Sequence, residues 1–164
     1  MAEEVFSMIK KTEPISDKEK SSTNKKLDWL IFSVNTKLFA LPSSKVKEIL
    51  RDSQVFTVPF VPSYISGILN RYGDPYCVVD PAVLIGDSAQ NTSLFIVVND
   101  ATHTCIRITD VKEFFAAPEL DIRKFTDLEI SEYYEGTLKH KDDQIFVLNT
   151  DAILEKMDID FERA

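Results

Sequence analysis

Glycine is scarce in this chain, with four in 164 residues, alongside two cysteines, two histidines and one tryptophan. So few and so dispersed glycines exclude the GxxxxGK[ST] and GxGxxG loops, which need the backbone close to phosphate at several points of one short stretch. Cys77 and Cys105 sit singly among strand-like apolar residues and read as buried free thiols, since a cytosolic chain has little use for a structural disulfide. His103 and His140 fall beside turns, without HxxxH or CxxC spacing around them, so no metal site is expected. Neither histidine accompanies a Gly-x-Ser-x-Gly elbow or a candidate catalytic cysteine, and an activated nucleophile is missing. The acidic residues Glu129, Glu132 and Glu135 have the spacing of a solvated face.

Long apolar runs are also missing. Phe95–Val98 is far below the roughly 18 residues that span a bilayer, and the amino terminus has no secretory apolar core. The expectation is a soluble, cytoplasmic protein with no direct membrane insertion. Basic charge is in deficit, 19 Lys and Arg against 27 Asp and Glu for a net charge of −8. Such a balance repels phosphate backbones, and the aromatics lie in apolar strands instead of alternating with Lys and Arg as in single-strand binders. No nucleic acid, cofactor or catalytic residue is predicted.

What is present is 44% hydrophobic residues in a chain long enough for one domain with a sizeable core. Residues 1–26 are polar and charged and read as a disordered leader, with Val5, Phe6, Met8 and Ile9 as its one apolar patch. Order is expected over 27–164. Alternating residues from Trp29 to Val34 and the return Leu38–Leu41 predict a hairpin. Pro42–Ser44 is expected to open a short helix bearing Val46, Ile49 and Leu50, followed by a strand near Val55–Val58 and a Pro59–Pro62 bend. Gly67 and Gly73 bracket a further hairpin, because glycine serves where φ is positive or two main chains approach closely. Asp80 and Pro81 form a helix start, and Leu94–Val98 with Thr104–Ile108 another hairpin. A long connector over Ala116–Glu132 precedes strands at Tyr133–Leu138 and Gln144–Leu148. Thr150 or Asp151 is placed as the cap of a terminal helix carrying Ile153, Leu154 and Met157. The whole is mainly β, and a hairpin rhythm repeated on either side of Gly86 suggests two packed small barrels.

Seven fragments in order resemble the CheW-type coupling proteins of bacterial chemotaxis: VKEIL at Val46–Leu50, SYISGILN at Ser63–Asn70, VVD at Val78–Asp80, FIVV at Phe95–Val98, IRITDV at Ile106–Val111, EYYEG at Glu132–Gly136 and IFVLNTDAIL at Ile145–Leu154. The resemblance implies two intertwined five-stranded SH3-like β-barrels with short helices and a C-terminal helix, and no catalysis. It implies as partners the regulatory domain of the histidine kinase CheA, the cytoplasmic tip of a methyl-accepting chemoreceptor, and other CheW-like domains in rings. Partner-contact roles carry over to Val46 and Glu48, to Gly67, Asn70, Arg71, Tyr72 and Gly73, to Phe125 and to Gly136. Packing for Val46 and Phe125 and solvation for Glu48 are the structural alternatives. The family's Asn-Leu-Arg-Gly turn here reads Asn70, Arg71, Tyr72, Gly73, and the Gly and Asp of its second-barrel Gly-Leu-x-Val-Asp pattern are replaced by Cys105 and Thr109. These departures keep open a divergent adaptor of another motility or signalling pathway. The small-barrel architecture leaves an oligonucleotide-binding barrel as a third reading.

Overall fold

The computed structural model describes residues 26–118, 122–125 and 132–163. The expected leader, apart from Lys26, and Glu129 lie outside the described residues. Among the described residues, eleven strands form two sheets. One sheet has six strands, β1 (Lys26–Val34), β2 (Lys37–Pro42), β8 (Asp110–Pro118), β9 (Ile122–Lys124), β10 (Tyr134–His140) and β11 (Asp143–Leu148), ordered β8-β1-β2-β11-β10-β9. The other has β3 (Val46–Arg51), β4 (Ile65–Arg71), β5 (Asp74–Val79), β6 (Leu94–Val98) and β7 (Thr104–Ile108), ordered β3-β6-β7-β5-β4. Among the described residues the helices are α1 (Pro81–Leu84) and the terminal α2 (Thr150–Glu162), with a 3-10 turn at Ser43–Lys45. The molecule is therefore mainly β, built of SH3-like sheets with a C-terminal helix.

The strands that read as continuous apolar runs are buried on both faces. In β1, Trp29 and Ile31 point into the six-stranded barrel with Leu138, Ile145 and Val147, while Leu30, Phe32 and Val34 enter a core shared by the two barrels. In β6, Phe95 and Val97 fill the five-stranded barrel, and Leu94, Ile96 and Val98 join the shared core. A side-chain period of two therefore sends alternate residues into two different cores, and both need to be apolar. Ile153 and Met157 of α2 cap the shared core. The Tyr64 hydroxyl donates to Asp160 at 2.6 Å and ties α2 to the loop before β4. Burial, reinforced by that carboxylate, pushes the Tyr64 pKa up.

The barrels do not divide at Gly86 as the hairpin rhythm suggested. The middle of the chain, β3 to β7, makes one sheet, and both ends of the chain make the other. The parallel pairing of β2 with β11 joins those ends. Other expectations also change. Val46–Leu50 is strand, paired with β6, and not helix; the β-branched Val46 and Ile49 suit a strand, and only the 3-10 turn precedes it. Val55–Val58 is reduced to a single bridge between Phe56 and Ile68. Within the expected connector Ala116–Glu132, Ala116–Pro118 end the edge strand β8, paired to β1, and Ile122–Lys124 form β9, paired to β10. Asn149, not Thr150 or Asp151, caps α2, its Oδ1 accepting from the Ala152 N–H at 3.1 Å.

A buried polar seam joins the two sheets. Asp80 accepts from the N–H groups of Ala82 and Gln90 and from the Gln90 amide. Thr109 Oγ1 donates to Gln90 Oε1 at 2.8 Å and accepts from the Asn35 N–H at 2.7 Å. The hydroxyl at position 109 thus links the β1–β2 turn to the segment between α1 and β6.

Candidate partner-binding surface

β4 and β5 form a hairpin with Arg71 opposite Asp74, leaving Tyr72 and Gly73 as its two-residue turn. Their φ values are 51° and 88°. Two positive φ values belong to the type I′ turn, whose twist matches that of the strands and whose first position favours Asn, Asp or Gly. Gly73 meets that need without strain; Tyr72 does not. The turn is braced from within, because Asn70 Oδ1 accepts the Gly73 N–H at 2.8 Å.

Arg71 points inward to an ion pair with Glu48 on β3. β3 and β4 are the two edges of the five-stranded sheet, so this contact closes the barrel where the backbone ladder stops. The Glu48 carboxylate raises the Arg71 pKa further and keeps the guanidinium charged. Arg71 Cζ also lies 4.9 Å from the Tyr72 ring centroid and 5.7 Å from that of Tyr76. Tyr72, 88% exposed, is left at the tip.

The candidate residues thus fall into separate groups. Glu48, Asn70, Arg71, Tyr72 and Gly73 come together at one end of the five-stranded barrel. Val46 is half-buried at the start of β3 and packs on the shared core. Gly67 is buried; its φ is 143°, and a methyl group there would overlap the Phe56 carbonyl. Close backbone approach does occur at Gly67, but the neighbour is this chain's own Phe56. Gly136 is likewise buried, where β10 passes the backbone of Arg123 and Lys124 in β9. Phe125 lies beside it on the six-stranded barrel, half-buried, its ring 6.3 Å from that of Phe146. It has folded back in part onto the barrel.

Sequence reasoning did not single out Phe60, fully exposed with φ 61°, or Phe56, 55% exposed. Their signal was the Pro59–Pro62 bend, read only as a change of direction. Close by, Val58, Val61, Ile65, Ile68 and Phe161 line an apolar groove of about 340 Å³. Burial pushes the Cys77 thiol beside it up to about 11 and that of Cys105 to about 12, so both stay protonated and weakly reactive. Among the described residues no group of three His, Cys, Asp or Glu side chains is placed to hold a metal ion. No described helix is long and apolar enough to cross a membrane.

The shaped features of this surface are a braced hairpin tip and an apolar groove. The CheW-like domain family matches residues 28–158, and the chain belongs to that family, whose members are scaffold or coupling proteins. Among solved structures it is similar to the scaffolding protein TtCheW from Thermoanaerobacter tengcongensis. The two are 23% identical, with a TM-score of 0.69 over 76% of this chain and 90% of that one. The likeness establishes a common fold. None of the curated proteins matches the chain.

Proposed function

We propose that this protein is a non-enzymatic cytoplasmic coupling protein that bridges the signalling tip of a chemoreceptor to the regulatory domain of a CheA-type histidine kinase. Residues 27–164 act as one CheW-like unit with two barrel subdomains, and other CheW-like domains extend the contacts into rings. The observation that carries the reading is the hairpin tip at Asn70–Gly73, held rigid by the Glu48–Arg71 closure within a family of scaffold proteins. A preformed turn on a closed barrel binds without a large ordering cost. Phe125, half-buried on the other barrel, marks a second face for ring contacts, with the buried Gly136 letting β9 pack close beneath it.

The test is binding of the purified chain to a receptor signalling tip and to a kinase regulatory domain from the same genome. Saturable binding to both supports the proposal, and binding to neither refutes it. Tyr72 and Thr109, where the chain departs from the family pattern, favour as a second reading an adaptor of another motility pathway. Deletion that spares swimming bias and alters twitching would select it.

A further inference from the structure

We infer that Tyr72 is the specificity determinant of the hairpin tip, and that it anchors in an apolar recess with a basic rim on the kinase regulatory domain, where the family's turn would offer an arginine. The inference rests on the coupling-protein reading above. It starts from where the charge at the tip goes.

Arg71 is the one cation at this turn, and it is already committed: its guanidinium pairs with Glu48, only 18% of the Arg71 side chain is exposed, and the rings of Tyr72 and Tyr76 flank it. An acidic partner surface would therefore find no free cation here. It would meet Asp74, exposed across the turn from Arg71. Glu48, Arg71 and Asp74 together leave the tip with a net negative charge, on a chain of net charge −8. A complementary surface is apolar at its centre and basic at its edge.

The tip's shape argues the same way. Tyr72 holds φ at 51° and is 88% exposed. An aromatic at this turn position loses stability against Asn or Gly, and in the free protein only the contact with the Arg71 guanidinium offsets that loss. The arrangement makes sense where the ring gains its contacts on binding, and buried aromatics are among the residues that dominate interface energetics. Arg71 stacked on the ring fixes its orientation beforehand, which lowers the side-chain ordering lost on docking.

The experiment measures Kd by calorimetry for wild type, Tyr72→Phe, Tyr72→Ala and Tyr72→Arg against the CheA-type regulatory domain of the same genome. Thermal melts confirm that each variant is folded; the exposed position should leave them near wild type. Tyr72→Ala should weaken binding by about tenfold or more, Tyr72→Phe by less than about threefold, and Tyr72→Arg by about as much as the alanine variant. Asp74→Asn should flatten the salt dependence of binding. Wild-type binding that Tyr72→Ala leaves unchanged, or that Tyr72→Arg tightens, overturns this inference alone. No binding by wild type overturns it together with the kinase-coupling reading.

Discussion

Replacing Gly67 with Ala tests whether this glycine shapes the barrel or serves an outside partner. Its φ of 143° is a conformation that L side chains rarely adopt, and a Cβ would overlap the Phe56 carbonyl. The backbone term alone is of order 1–3 kcal/mol. To make room, the Phe56 backbone must leave Ile68, with which it exchanges two hydrogen bonds of 2.8 Å, at a loss of about 0.5–1.5 kcal/mol each. The sum is about 2–6 kcal/mol, a large share of a typical 5–15 kcal/mol. For a chain of this size that lowers Tm by about 5–20 °C. Gly73→Ala is the control: its φ is also positive, at 88°, but nothing lies within 4 Å of the added methyl, so only the backbone term remains. Far-UV circular dichroism melts of both variants, with Trp29 fluorescence following the six-stranded barrel, measure the difference. Gly67→Ala as stable as Gly73→Ala would refute the reasoning, because the Phe56 segment would then be free to move aside.

Thr109→Val should cost about 1–3 kcal/mol in urea unfolding, since it leaves the Asn35 N–H and the Gln90 amide oxygen without their partner; an unchanged midpoint would remove the seam's role. Phe125→Ala should cost about 1–2 kcal/mol, below the 3–5 kcal/mol of a fully buried ring such as Phe95; a loss as large as that of Phe95→Ala would place Phe125 in the core. Glu113 accepts a 2.6 Å hydrogen bond from His140, and this contact first, with Lys141 assisting, holds its carboxyl below the usual carboxylate range. A depressed folded-state pKa contributes stability above the unfolded value and loses it as pH falls through the folded one. Tm should therefore drop on acidification through and below the carboxylate range, and the drop should be smaller in Glu113→Gln. Equal acid sensitivity in wild type and variant would rule the pair out as a source.

Strand segments were legible wherever alternation and a turn residue coincided, as at Leu94–Val98 and Thr104–Ile108. Val46–Leu50 mimics a helix because a bulge between Val46 and Glu48 turns both Val46 and Ile49 toward the shared core while Leu50 enters the five-stranded barrel, which leaves apolar residues at spacings of three and four. β8 was not legible because, among the described residues, it is an edge strand and Phe114 faces outward, 58% exposed, which blurs the alternation. At the candidate site the turn itself was readable from Gly73, which follows a short strand after Gly67. That Arg71 turns inward to Glu48, 23 residues away, was not. Nor was the burial of Gly67 and Gly136, whose neighbours come from other segments.

Composition and the order of short motifs determined a mainly β chain of the CheW-like family, because alternation, turn residues and capping signals act over a few residues and are written locally. The tertiary structure alone decided that the middle of the chain closes one barrel while its two ends build the other, and that one ion pair joins the edges of the first. Those choices depend on contacts between residues far apart in sequence, where loop closure and the competition for two separate cores select the pairing, and no local pattern records the outcome.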